Sequence, residues 1–292
     1  MARRCITVLV LVLVLALPST ATVIDIGTGA QQDFDAAMRL LVPMKDRPAA
    51  EAVLACAKHF IGTPYVSGTL EQEPECLVVD TRRTDCILFV EMCVAMSLTS
   101  RLDTPDFRHY CDILRSLRYR GGRVDGYSSR LHYTSEWIAQ AEASGIMKEV
   151  TSDIGGGPHS QTFSFMSTHP ASYRQLAGAV TGDPAARHEL EVICSAEAAL
   201  TARNYNMITR QDVCSCLDGI RSGDIICFCS SVKGLDAVHV GIAFRNGDRL
   251  TFIHASSTAG KVIVNPAPLD EYVSSRKGVS GIRVVRLTEF VK

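Results

Sequence analysis

Residues 86–98 read CILFVEMCVAMSL, an almost unbroken apolar run in which Glu91 is the only charge. A helix that is apolar all round can only be stable when other elements cover every side of it. The fold must therefore enclose this segment, and the segment begins with a thiol, Cys86, preceded by Asp85. Cysteine packs well in cores. At a helix N-terminus, however, the free N–H groups lower a thiol's pKa and make it a nucleophile. The rest of the chain has to decide between these roles.

The 292 residues open with Arg3 and Arg4, an apolar stretch over 6–17 and small residues at 19–21. This pattern predicts a signal peptide over 1–21, too short to span a bilayer. Export to the periplasm and a single domain over 22–292 follow as expectations. A formal net charge of −1 argues against nucleic acid or an anionic membrane as partner. Eleven cysteines are present and Cys5 falls in the leader. Their spacing is not that of a disulfide framework. Cys214, Cys216, Cys227 and Cys229 are spaced more tightly than paired zinc ligands usually are, so packing roles and no metal are expected.

Helices are expected over 49–59, 86–98, 107–119 and 132–143, with a short strand over 77–81. Residues 159–213 are polar and mostly helical or irregular. From Gly223 the pattern changes to strands: DIICFC, AVHVGIAF, RLTFIHAS, KVIVN and IRVVRL. Helices followed by a run of antiparallel strands imply an α+β fold, with an insertion over about residues 100–215.

In AVHVGIAF, His239 shares a face with Ala237, Gly241 and Ala243, small residues that admit a neighbouring element. Asn246-Gly247 is a strong hairpin signal for a type I′ turn. With those two residues as the turn, paired numbers sum to 493 and His239 lies directly opposite His254 on one face. A thiol at a helix start and two cross-strand histidines supply a nucleophile, a base and a group to orient the base. The Cys86 N–H would serve an oxyanion hole.

The stretches GTPYVSGTLE (62–71), TDCILFVE (84–91), HYTSEW (132–137), IGGG (154–157), GLDAVHVGIA (234–243), IHASS (253–257) and GIRVVR (281–286) resemble, in this order, the N-acetylmuramoyl-L-alanine amidase-like branch of the NlpC-type papain-like cysteine hydrolases. The resemblance spans most of residues 55–290. It implies a papain-like core that releases stem peptides from peptidoglycan fragments, above all soluble 1,6-anhydro-muropeptides, in cell-wall recycling, without a cofactor. Cys86 falls at the nucleophile position, His239 at the base, His254 at the third position and Tyr65 beside the thiol. Ile87-Leu88 departs from the small polar residues common after this cysteine.

Tyr133, Ser135 and Trp137 are candidates for lining a sugar or peptide pocket, or for packing. Asp236 is a candidate for touching substrate or capping a turn, and Glu91 for satisfying a buried donor. Glycines 155–157 suit backbone approach to a ligand or a flexible loop. The competing functions are an endopeptidase cutting D-glutamyl–diamino acid bonds, a non-catalytic wall-fragment binder, and a metal-binding protein built on the 214–229 cysteines.

Overall fold

The structure is a computed structural model that describes residues 23–289, so the expected leader lies outside the described residues. In chain order the elements are β1 (Ile24–Ile26), α1 (Ala30–Leu41), α2 (Ala49–His59), β2 (Leu77–Val79), α3 (Cys86–Thr99), α4 (Phe107–Arg118) and α5 (Thr134–Ala143). They continue with β3 (Met147–Glu149), β4 (Gly157–His159), α6 (Phe165–Thr168), α7 (Arg174–Thr181), α8 (Pro184–Thr201), β5 (Tyr205–Thr209) and α9 (Val213–Cys216). The chain ends with β6 (Ile225–Ser230), β7 (Ala237–Asn246), β8 (Arg249–Ser256), β9 (Lys261–Val264), α10 (Leu269–Ser275) and β10 (Val279–Leu287).

Helix α3 is buried from Leu88 to Thr99. Its start is fixed by Asp85, whose carboxylate accepts the Leu88 N–H at 3.0 Å, as an N-cap should. Asp106 caps α4 in the same way through the His109 N–H, at 2.8 Å. Around α3 pack α1, α2 and α4, each by an apolar stripe: Ala49, Ala52, Val53, Cys56 and Ala57 in α2, and Tyr110, Cys111, Leu114 and Leu117 in α4; α5 joins the same core by packing on α4. The other wall of this core is one face of the sheet, with Cys227, Val240, Ile242, Ile253 and Ala255.

The sheet runs β4-β5-β10-β6-β7-β8-β9, with β3 also on β10, and its strand pairs are antiparallel. Its second face, with Ile226, Phe228, Ala243, Phe252 and Val284, is covered by α9 and α10. The small β1–β2 sheet is parallel. Among the described residues no helix is long and apolar enough to cross a membrane.

The insertion differs from the expected 100–215 in what it contains. Helices α4 and α5 belong to the main core. A separate cluster is built by Tyr127, Tyr133, Phe163, Met166, Leu176, Ile193, Leu200 and Tyr205. Strands β4 and β5 extend the main sheet from inside this region, and β4 starts at Gly157 of the expected glycine loop.

Candidate active site

The hairpin β7–β8 sets the site. Its pairs run from Ile242 with Ile253 to Asn246 with Arg249, so paired numbers sum to 495 and the turn is Gly247-Asp248. Direct opposition of His239 and His254 is thereby corrected. The reason is conformational: a type I′ turn on Asn246-Gly247 needs positive φ at both residues. Here no non-glycine among the described residues has positive φ, so of Asn246 and Gly247 only the glycine does, at 60°. That leaves glycine in the first central position, the requirement of a type II′ turn. A shift of two in the sum preserves facing, so both histidines still share a face.

Continuing this register puts His254 across from Gly241, and the two histidines meet diagonally over the missing side chain. Their rings cross at 85° with centroids 4.8 Å apart, and His239 Nε2 lies 2.6 Å from His254 Nδ1. Phe228 and Phe252 pack against the pair from the sheet, and Tyr272 of α10 covers Phe228, Phe252 and His254. A Cβ on Gly241 would come within 2.8 Å of Phe252 Cδ2 and 3.3 Å of His254 Cβ. Gly241→Ala is therefore expected to displace the imidazole pair, cutting turnover by about tenfold or more and stability by about 1–3 kcal/mol. Turnover and denaturant midpoint check this; wild-type values of both would show that the diagonal contact needs no glycine.

The β7–β8 ladder ends at Ile242 and Ile253, although β7 starts at Ala237 and β8 runs to Ser256. Where the strands part, the Cys86 sulfur meets the Val240 N–H, one residue beyond His239, together with the N–H groups of Ile87 and Cys86 itself. Among the described residues no hydrogen bond joins the sulfur to either imidazole. Tyr272, on the histidine side, is close enough to feel the sulfur's charge. Tyr65 feels it too, and burial and that charge raise its phenol. The Tyr65 loop is fastened on both sides: the Tyr65 N–H to Gly260 O at 2.9 Å, and Val66 N–H to Thr84 O at 2.9 Å.

The expected lowering of the Cys86 pKa is not what the site produces. Burial pushes the thiol up to about 12, the Asp85 charge adds to this, and the three N–H groups only partly offset it. Burial also pulls His239 down to about 4, helped by the Arg276 guanidinium, and His254 down to about 3, helped by His239 and Arg276. The resting site is neutral throughout: a thiol and two uncharged imidazoles.

The remaining sequence candidates lie elsewhere. Tyr133, Ser135 and Trp137 are each 2% exposed. Tyr133 donates to Glu197 at 2.6 Å, and Glu197 also takes the Met166 N–H. The Ser135 hydroxyl accepts from Arg283 at 2.6 Å, and Trp137 packs in the main core. Asp236 accepts the Ser135 N–H at 2.6 Å and the Ala237 N–H at 2.8 Å, tying the start of α5 to the start of β7. These four residues hold the framework behind His239. Cys227 and Cys229 are buried strand residues beside Arg283, and the described cysteines are free thiols.

Sequence reasoning missed Tyr272, Arg276 and Asn265. The first sits on a short helix with no motif, and the second just past its end. Asn265 carries a signal, because it continues the alternation of KVIVN onto the face that holds His254.

The site thus gathers one thiol and a hydrogen-bonded imidazole pair at a split in an antiparallel sheet, the parts of a nucleophilic hydrolase. The family model AmiA-like, described as N-acetylmuramoyl-L-alanine amidase-like, matches residues 55–281, and the chain belongs to this family of amidase-like enzymes. A solved N-acetylmuramoyl-L-alanine amidase from Bacteroides uniformis is 33% identical, with a TM-score of 0.76 over 82% of this chain and 99% of that one. A Bacteroides fragilis protein provisionally named a xylanase is 34% identical, with a TM-score of 0.73 over 80% and 99%. A Legionella pneumophila protein of family model DUF1460 shares the fold at 19% identity, with a TM-score of 0.63 over 88% and 94%. Among curated proteins none is recognisably similar in sequence.

Proposed function

We propose that this chain is an exported cysteine amidase with a papain-like, NlpC-type core, and that it hydrolyses the amide between the lactyl group of 1,6-anhydro-N-acetylmuramic acid and L-alanine in soluble muropeptides. The observation that carries this reading is the 2.6 Å His239–His254 contact beside the strand split that receives the Cys86 sulfur. With Nε2 of His239 engaged, Nδ1 is the nitrogen left to take the thiol proton. As it does so, sulfur bonds to the lactyl carbonyl carbon, and the oxyanion is held by the Cys86 N–H. Collapse expels the L-alanine nitrogen, which takes the proton back from His239. Water, deprotonated by His239, then cleaves the thioester and frees the thiol. His254 orients the base throughout, and Tyr65 flanks the thiol.

The neutral resting pair supports this order of events, since the thiolate need exist only while substrate is bound. A glycosidase reading is not favoured. Such chemistry needs two carboxyl groups flanking the bond, and the carboxylate beside Cys86, Asp85, is committed to capping α3. The buried HYTSEW side chains leave substrate recognition to the rim, where Tyr272 and the exposed Arg276 suit a stem peptide bearing carboxylates.

Incubation with an anhydro-muramyl tetrapeptide, followed by chromatography with mass detection, tests the bond. Free tetrapeptide plus anhydro-sugar is the expected result, with little release from intact sacculi. A sugar still carrying a dipeptide would make the enzyme a D-glutamyl endopeptidase instead, and no product from either substrate would leave a fragment-binding protein.

A further inference from the structure

The short contact between the two imidazoles contains one proton, and its position decides whether His239 can act. For Nδ1 of His239 to accept a proton, its Nε2 must carry the hydrogen and donate it to His254 Nδ1. His254 is then confined to the tautomer with hydrogen on Nε2. That atom is buried, and no group meets it at full hydrogen-bond geometry. An N–H buried without an acceptor is costly, so something must hold it.

The side chain placed to do so is Asn265. Its N–H bonds Phe252 O at 2.8 Å and its carbonyl accepts from Thr251 Oγ1 at 2.8 Å, which fixes it one step beyond β9, diagonal to His254 on the same face. It is buried. Its Nδ2 already donates to Ala267 O at 2.8 Å, so the amide orientation is set and Oδ1 remains free to accept. Asn265 also acts on His254 as a hydrogen-bond partner that raises its pKa, the effect of an acceptor on a ring N–H.

We propose that Asn265 is a positioning residue that fixes the tautomer of His254, and through it leaves His239 Nδ1 unprotonated and able to act as base. This rests on the reading of His239 as the base. The relay is Asn265 Oδ1, His254 Nε2–H, His254 Nδ1, His239 Nε2–H, with no proton changing hands along it. Without the acceptor, His254 favours hydrogen on Nδ1, donates in the opposite sense, and drives the His239 hydrogen onto Nδ1, where it blocks the thiol proton.

Two variants separate this role from a structural one. Asn265→Asp and Asn265→Leu both lose the Nδ2 donation to Ala267, but only the aspartate can still accept from His254. Asn265→Leu is expected to lose about 10- to 100-fold in kcat with KM changed less than about twofold. Asn265→Asp is expected to keep kcat within a few fold and to move the acid limb of its pH profile upward, because a carboxylate favours the protonated imidazole. Equal losses in the two variants, or wild-type kcat in the leucine variant, would overturn the proposal. If the leucine variant does not fold, nitrogen-15 NMR of the wild-type histidines decides: hydrogen on Nε2 of His254 supports the assignment, and hydrogen on Nδ1 overturns it. His239→Ala run in parallel keeps the premises apart. If that variant is active the base reading itself fails; if it is dead while Asn265→Leu is unimpaired, only the tautomer role falls.

Discussion

Cys86→Ala is expected to lower turnover by on the order of 10⁴-fold or more while leaving the melting transition near that of the wild type, since in the proposed mechanism the covalent route runs through this thiol alone. Cys86→Ser should be nearly as poor, because the neutral resting site is tuned to move a thiol proton and not the tighter proton of an alcohol. The pH profile should show why. His239 must be neutral to accept a proton, and its pKa lies at about 4. The value of kcat/KM should therefore be full at neutral pH and fall as pH drops through about 4. No alkaline fall is expected between pH 6 and 9, because burial holds the thiol near 12. Alkylation of Cys86 by iodoacetamide should climb steadily with pH, after the exposed Cys194 and Cys214 have reacted. Rapid labelling of Cys86 at pH 6 with a plateau above it would instead reveal a preformed thiolate–imidazolium pair. Full turnover by Cys86→Ala would end the covalent mechanism.

What the residues disclosed, and what they withheld, follows from the range of the forces involved. Helix α3 was legible because an all-apolar run has only one stable setting, and its cap lies within one turn. The shared face of His239 and His254 was legible because strand parity survives a register change of two. The register itself was not, since it turned on which of two adjacent residues takes a positive φ, and the choice of Gly247 over Asn246 is made by the closed hairpin. Strands β3, β4 and β5 were hidden for a different reason. They are three to five residues long, polar in part, and exist through pairing with β10 or with each other. The direction of the Cys86 pKa was misjudged because the N-terminal N–H groups are local, whereas the burial that outweighs them comes from elements over a hundred residues away. HYTSEW stayed open between pocket and packing for the same reason: Tyr133 and Ser135 are answered by Glu197, Arg283 and Asp236, partners that no local pattern announces.

The single charge in α3 gives the second large effect. Glu91 and Arg118 are both buried, with Arg118 Nε 2.8 Å from Glu91 Oε2 and a second guanidinium nitrogen 2.6 Å from Val78 O. One pair thus clamps α3, the helix that starts at Cys86, to α4 and to the small β1–β2 sheet. Burial raises the Glu91 carboxyl, and Arg118 opposes that shift. Arg118→Met removes the opposing charge and leaves an uncompensated carboxylate in the core, so a loss of about 3–5 kcal/mol is expected at pH 7. The sign of its pH dependence is fixed. With its folded pKa raised further above the unfolded value, Glu91 favours the folded state when protonated. The variant should regain stability relative to wild type as pH falls, and lose it as pH rises through the folded pKa. The double variant Glu91→Leu/Arg118→Met removes both charges and should recover most of the loss, because a well-packed apolar pair can replace a buried ion pair. Urea denaturation at pH 5 and pH 7 measures all three proteins. An Arg118→Met deficit that stays constant between those pH values would show that lost packing and the lost bond to Val78, not the stranded carboxylate, set the cost. If the double variant were as unstable as the single one, the clamp would hold α3 by its hydrogen bonds, and the turnover lost with it would report misplacement of Cys86 at the strand split.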